Sequence, residues 1–449
     1  MTKITQLLKS FFMKSQKSDI PNDINLAFGQ QTHNVKTSSQ KDAWDESVKL
    51  FEKAEYLKGY ENIFEYVKWY EKDGSYKNIT LNQSENKIDF KISQGSVLII
   101  GTADKDKLIA DVDMAKLDSI NSALLRKVLE KNVKYVYSKF YLNENNHLGM
   151  KLRLDNSKMT ANKIWHGIKE LATNADKEDD LLMNDFKIKR SSTDHIKQLS
   201  KEIKDTKIKY LKSWIDENTK LVESLNHHDY SSLIGYSWLE LLFRIDYIIA
   251  PQGKMEDEIY QILDEYYNDR EQKSMEEHNS VFSKKFNELK EKDNEFLSES
   301  LFAKKITFLN ISKEEKSTIQ EFLEKDITAT KWYEENSHKD LAIKIYDYKI
   351  FFCLYKFEMP IYMLKLMHLY VQVRHHQMFK DLGSKKIFVK DDKLKSSSIK
   401  KEIDKISKEY KKIKESDDEE FKHSAFKNSL EFGSQYEFCS SFVKSLIDL

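Results

Sequence analysis

The 449-residue chain is short of the residues that interrupt or staple a backbone: it has 3 Pro, 11 Gly and 2 Cys. Pro removes a backbone donor, and Gly costs about 1 kcal/mol against Ala inside a helix, so their scarcity permits long helices. Two cysteines, Cys353 and Cys439, are too few for a disulfide framework or a Cys-rich zinc site, which points to a reducing cytoplasm. Arginine is scarce as well: 6 of the 74 Lys+Arg are Arg, and the 74 are balanced by 74 Asp+Glu. A chain with no net charge and little of Arg's bidentate fork is poorly equipped to grip nucleic acid, and none is expected as a partner. No apolar run is long enough to predict a membrane span. The best stretch, 350–373, contains Lys356, Glu358, Lys365 and Pro360, and each central charge costs about 2.5–3.5 kcal/mol on insertion, so it reads as a buried helix. The N-terminus is not a signal peptide either, because Thr5, Gln6, Lys9 and Ser10 interrupt its apolar residues.

What is present suffices for two or three cores, since 40% of the residues are hydrophobic over this length. Three regions are expected: 1–42, 43–188 and 189–449. In the first, Ile4, Leu7, Leu8, Phe11 and Phe12 lie on one stripe of a short amphipathic helix over 3–14, with Lys on the other side. Alone it is too short to be stable, so it docks on the chain itself, on a partner or on a membrane surface. Residues 15–42 lack periodicity and read as a linker.

From Ala43 to Tyr70 the apolar spacing is helical, with a break expected at Gly59. The period then changes to two. Ile88, Phe90 and Ile92 alternate with Lys87, Asp89 and Lys91, Ser93-Gln94-Gly95-Ser96 forms a turn, and 97–101 is a second strand. In a third, Leu108, Ala110, Val112 and Met114 alternate with Ile109, Asp111 and Asp113. A helix follows, with Asp118 or Ser119 as N-cap and Ile120, Leu124, Leu125, Val128 and Leu129 at helical spacing. Two more strands, 134–142 and 148–154, flank a turn at 143–147, and a helix beginning at Ser157 or Thr160 closes the region. The fold class is thus an α+β N-terminal domain, α-βββ-α-ββ-α with an antiparallel sheet, followed by a large all-α domain. In the latter, helices are expected over 193–226, 229–249, 255–278, 281–308, 312–325, 339–381, 393–415 and 419–446. Seven of the 11 glycines precede residue 190, in keeping with that division.

The stretch Asn121 to Asn132, the aromatic strand Tyr135 to Phe140, the strand Leu148 to Leu154, and the helix ending Leu171-Ala-Thr-Asn-Ala-Asp-Lys-Glu-Asp-Asp-Leu-Leu182 resemble the YbjN family of type III secretion chaperone-like (Tir chaperone-like) domains. The resemblance covers residues 43–186. It implies a small protein-binding α+β domain without a catalytic centre, which commonly pairs into homodimers and holds an extended client segment on helix and sheet surfaces.

Chemical constellations are sparse. His227-His228 and His375-His376 are adjacent in sequence, so the rings of each pair diverge and do not readily share a metal ion. Asp111 and Asp113 share a strand face, as do Asp89 and Lys91, and a metal-dependent nuclease or phosphoryl-transfer enzyme built on these four is one alternative. No phosphate-cradling Gly-Lys-Ser/Thr or Gly-x-Gly-x-x-Gly occurs. Cys353 and Cys439 lie among apolar residues, as core thiols do. Between 384 and 415, 12 Lys face 6 Asp/Glu, which reads as the solvated side of an amphipathic helix.

The reading is therefore a cytoplasmic protein-binding chaperone-like or adaptor protein, not an enzyme, with no cofactor or metal. It is expected to hold a client or to serve as an assembly component of a bacterial secretion, injection or conflict system, and a homodimer is open. Candidate contacts are Ile4, Leu8, Phe11 and Phe12 of the first helix and Ile88, Phe90 and Ile92 of the first strand, although a sheet that buries one face would place the last three in its core. A peripheral membrane component anchored by 3–14 is the other alternative.

Overall fold

The computed structural model describes residues 36–69, 78–186, 188–192, 196–267, 272–303, 305–308, 312–313, 315–325, 327–336, 338–413 and 420–449. The expected helix over 3–14, with Ile4, Leu8, Phe11 and Phe12, lies outside them. Among the described residues, 36–197 with 303–308 form one compact unit, and 198–302 with 312–449 form another.

The first unit opens with α1, Ser38–Glu52, and α2, Tyr56–Val67. Thr37 and Gln40 make a reciprocal capping box at the start of α1. The buried Gln40 amide also donates to the carbonyls of Glu65, Tyr66 and Lys68 at 3.2, 3.2 and 2.7 Å, so one side chain closes the start of α1 and the end of α2. The break between these helices falls at Ala54, with φ 58°, and not at Gly59. Gly59 instead lets α2 approach the Phe51 ring, which a Cβ would meet at 2.7 Å.

Six strands follow: β1, Ile79–Gln83; β2, Lys87–Gly95; β3, Val97–Asp104; β4, Lys107–Lys116; β5, Ser138–Leu142; and β6, His147–Asp155. They pair antiparallel in the order β1-β2-β3-β4-β6-β5. Helix α3, Ser122–Lys134, connects β4 to β5, and α4, Ala161–Phe186, follows β6. The N-terminal α+β order is therefore the expected one with an added edge strand. β1 escaped the pattern because it contains two apolar residues, Ile79 and Leu81. At the β2–β3 hairpin Gln94 pairs with Val97, leaving Gly95-Ser96 as a two-residue loop whose Gly95 has φ +53°.

Alternation sends Ile88, Phe90, Ile92, Leu108, Val112, Met150 and Leu152 inward, where they share one core with Phe64 of α2 and Ile164, Ile168 and Leu171 of α4. The carboxylates of α4 fasten the hairpins. Asp176 accepts from the Ser96 N–H and hydroxyl at 2.7 and 3.0 Å, and Asp179 accepts from the Ser96 hydroxyl at 3.0 Å.

A seventh strand, β7, Lys305–Ile306, pairs antiparallel with Gln94–Gly95 of β2. This corrects the expected helix over 281–308, which ends far earlier.

The second unit is mostly helical. Its helices are α5, Lys201–Glu223; α6, Ser231–Arg244; α7, Lys254–Tyr267; α8, Met275–Lys290; α9, Asn294–Glu299; α10, Lys316–Glu324; α11, Ile327–Glu335; α12, Lys339–Lys356; α13, Ile361–Arg374; α14, His376–Asp381; α15, Ser396–Ile413; α16, His423–Ser429; and α17, Gln435–Ile447. The expected helix over 339–381 is broken before Pro360, where Phe357–Glu358 pair in parallel with Ser312–Lys313. Val389–Lys390 and Lys393–Leu394 form a second short ribbon, so this region is not wholly helical. Helix α6 runs into a π-type turn, Ile245–Ile249, and stops at Ala250, φ 50°, before Pro251. Buried Lys207 donates to the carbonyls of Ile248 and Ile249 at 3.2 and 2.5 Å, and burial pulls its ammonium down to about 7. Among the described residues, no helix is long and apolar enough to cross a membrane.

Candidate protein-interaction surface

Helix α3 carries two apolar stripes. Asn121 caps its start by accepting from Ala123 N–H at 2.8 Å, and Leu124 and Val128 enter the core of the unit. One residue further on, Leu125, Leu129 and Val133 repeat at i, i+4, i+8 and form a parallel row. Leu125 is half-buried, whereas Leu129 is 64% exposed, Val133 87%, and Val136, just past the helix, 74%. Ile120 stands exposed before the helix. Fully covering each of these side chains would contribute about 1.5–3 kcal/mol, so a contiguous row of them is a surface with unspent hydrophobic energy.

The helix is held firmly behind that row. Lys131 Nζ and the Tyr135 hydroxyl reach the buried Glu178 carboxylate of α4 at 2.5 and 2.8 Å. Asn132 pairs with both backbone groups of Phe140, accepting its N–H at 2.6 Å and donating to its C=O at 3.2 Å. Glu170 of α4 accepts the N–H groups of Val136, Tyr137 and Ser138 at 3.1, 2.8 and 2.7 Å. Burial alone would raise the Glu170 carboxyl, but these donors outweigh it and hold it below the usual range. Asn132 and Glu170 thus occupy backbone groups of β5, the last strand in the sheet, where another strand would otherwise pair. Over its length α3 bears Arg126, Lys127, Lys131 and Lys134 against the single acid Glu130, with Lys131 engaged by Glu178.

Ile88, Phe90 and Ile92, the strand residues expected as contacts, are all buried in the core beneath the helices. Their side chains face α2 and α4 because the alternation with Lys87, Asp89 and Lys91 puts the charged set on the opposite face. The sequence pattern grouped Leu125 and Leu129 with Ile120, Leu124 and Val128 at helical spacing, left out Val133, and put Val136 in the expected strand 134–142. The available signal was the doubling Leu124-Leu125 and Val128-Leu129, an apolar arc wider than one packing contact needs.

The four residues of the nuclease alternative share the open sheet face without converging. β3 lies between β2 and β4, so Lys91, in register with Asp111 through Ile100, is about 9–10 Å from it, and Asp89, two residues out of register, is farther still. Asp89 accepts from Thr102 at 2.7 Å and pairs with Lys87 at 2.8 Å, and Asp113 meets His147 Nδ1 and the Ser191 hydroxyl, each at 2.9 Å. Burial raises the Asp111 carboxyl, which accepts from the Tyr141 hydroxyl at 3.3 Å. Among the described residues, no three His, Cys, Asp or Glu side chains are grouped as metal ligands.

The second unit buries its ionic groups. Glu240 lies between Lys344, at 2.8 Å, and Arg244, at 3.1 Å, whose guanidinium sits 4.6 Å from the Trp214 ring centre. Asp347 accepts a bidentate pair from Arg374 at 3.0 and 2.9 Å and the Tyr370 hydroxyl at 2.7 Å. Burial would raise the Asp347 carboxyl, yet Arg374 overrides it and holds it down to about 2. His375 and His376 are both shifted down by burial. Cys353 and Cys439 are fully buried, and burial pushes the Cys439 thiol up to about 12, away from reactivity. These groups tie α6, α12 and α13 together.

No protein-family model matches the chain, and the curated proteins give no match either.

Proposed function

We propose that the protein acts by binding another protein, as a chaperone-like holder or adaptor in the cytoplasm, serving a bacterial secretion, injection or conflict system. The observation that carries this reading is the exposed aliphatic row of Leu129 and Val133, with Val136 just past the helix end, on a helix anchored from behind by Glu178 and Phe140. A rigid apolar row needs little ordering on binding, which favours association. The resemblance of residues 43–186 to secretion chaperone-like domains supports the same reading.

Charge selects the partner. With Lys131 engaged by Glu178, Arg126 and Lys134 of α3 suit an amphipathic segment whose apolar stripe is flanked by Asp and Glu. The chain's own residues 3–14 bear Lys3, Lys9 and Lys14 and no acid, so their charge is of the wrong sign for this surface. The test is affinity purification from the native cell with the wild-type chain and with Leu129→Glu/Val133→Glu. A stoichiometric partner retained by the first and lost from the second is expected. An identical set of co-purifying proteins from both would defeat the proposal.

A further inference from the structure

Residues 305–308 are bound to the sheet-bearing unit as a peptide is bound by a receptor. The backbone of β7 extends the ladder, with Lys305 opposite Gly95 and Ile306 opposite Gln94. Beyond it, the Gln94 amide takes over the role of a strand. Its Oε1 accepts the N–H groups of Thr307 and Phe308 at 3.0 and 2.8 Å, and its Nε2 donates to the Phe308 carbonyl at 3.2 Å. The Thr307 hydroxyl donates to the Ser93 carbonyl at 2.6 Å and accepts from Asn78 Nδ2 at 3.3 Å. Asn78 is itself fixed, donating to the Val67 carbonyl at 3.0 Å and accepting the Trp69 N–H at 2.9 Å. The Phe308 ring lies edge-on to Trp165, with centroids 5.1 Å apart.

Gln94 is 3% exposed and Asn78 1%, so both amides are desolvated and depend on an extended segment for part of their hydrogen bonding. A core that needed only volume here would be served by apolar side chains. Two buried amides aimed at backbone and hydroxyl groups, beside an aromatic slot, are specificity elements. The segment also stands apart in sequence, since 213 positions separate Gln94 from Thr307.

We infer that Asn78, Ser93, Gln94 and Trp165 form an acceptor site for an extended peptide of the type aliphatic–hydroxyl–aromatic, which the chain fills in cis with Ile306, Thr307 and Phe308. The site takes a second segment of the same chemistry when the cis copy leaves. It is distinct from the α3 row and does not depend on that surface having a partner.

The probe is a fluorescein-labelled synthetic peptide with the sequence of residues 302–310, titrated into the full-length chain. In Phe308→Asp the buried carboxylate expels the cis segment, and the peptide is expected to bind about tenfold tighter or more than to wild type, because the tethered competitor is gone. Adding Gln94→Ala to Phe308→Asp removes that gain. Equal affinity for wild type and a folded Phe308→Asp overturns the inference. Should Phe308→Asp fail to fold, hydrogen exchange on the wild-type chain decides. Unlabelled peptide at about 10 mM, above the millimolar effective concentration of a tethered segment, is expected to speed exchange at Thr307 and Phe308 while 88–103 stay protected. Unchanged exchange at those two amides overturns it.

Discussion

The most exposed large apolar side chains among the described residues, Leu129, Val133 and Val136, stand on the sheet-bearing unit, which buries two carboxylates, Glu178 and Asp179. The helical unit buries the larger charged set, with Lys207, Glu240, Arg244, Asp246, Asp347 and Lys349 enclosed among apolar side chains. The first arrangement leaves association energy unused, so a partner can supply what the fold does not. In the second, Glu240 and Asp347 each have a cation within 3.1 Å, and the value of these pairs lies in fixing how three helices meet. On the proposed reading, surface recognition falls to one unit and internal rigidity to the other.

The comparison breaks most readily at Asp347. Asp347→Ala strands Arg374 without its bidentate partner and is expected to cost about 3–5 kcal/mol in urea unfolding, whereas Asp347→Leu with Arg374→Met recovers most of the loss. A cost under about 1 kcal/mol would show that the ionic core is not what holds these helices.

Acid is the next lever. Burial holds the His368 imidazole, in contact with the Tyr247 hydroxyl, down to about 3 from an ordinary value of 6.5. The unfolded chain takes up the proton below pH 6.5 and the folded one does not. Stability from this group is therefore complete above 6.5 and is lost as pH falls toward 3, about 3 kcal/mol being gone at pH 4. His368→Gln should flatten that part of the pH profile relative to wild type, and parallel profiles would remove His368 as a contributor.

A smaller effect is expected on the sheet. At Gly149 a Cβ would stand 2.3 Å from the Val112 carbonyl oxygen and 2.8 Å from the Tyr141 ring, so Gly149→Ala should cost about 2 kcal/mol by thermal unfolding and move the Tyr141 hydroxyl off Asp111. The smallest change sharpens the contrast. Leu129→Glu is expected to alter stability by no more than about 0.5 kcal/mol, since its side chain touches mainly water, while removing partner binding. A large loss of stability would show that Leu129 belongs to the core after all.

Much of this architecture was legible before any coordinates. Strict alternation at Leu108, Ala110, Val112 and Met114, and at Leu148 to Leu154, fixes strands and also their buried face, because only one face can meet the helices. The N-cap of α3 was misplaced by a few residues: Asp118 and Ser119 have capping chemistry, but Asn121 is the one that reaches the free N–H. Lys305–Ile306 could not be read as a strand from local pattern, since it gains its partner from β2, far away in sequence. The interaction row is the harder case. Leu124-Leu125 and Val128-Leu129 offer two adjacent stripes, and periodicity alone cannot say which meets the sheet. Contacts from elsewhere settle it, through Glu178 holding Lys131 and Asn132 holding Phe140.

The pairing of β7 with β2 also sets a clock on synthesis. Gln94 leaves the ribosome 213 residues ahead of Thr307, which at about 5–20 residues per second is a delay of about 10–40 s. During that interval the nascent sheet has an open place beside the β2–β3 hairpin, and the buried amides of Asn78 and Gln94 meet solvent or whatever extended chain is at hand. The first unit is thus completed only after all of the helices α5 to α9 have been made, and the order of translation decides which peptide reaches that place first.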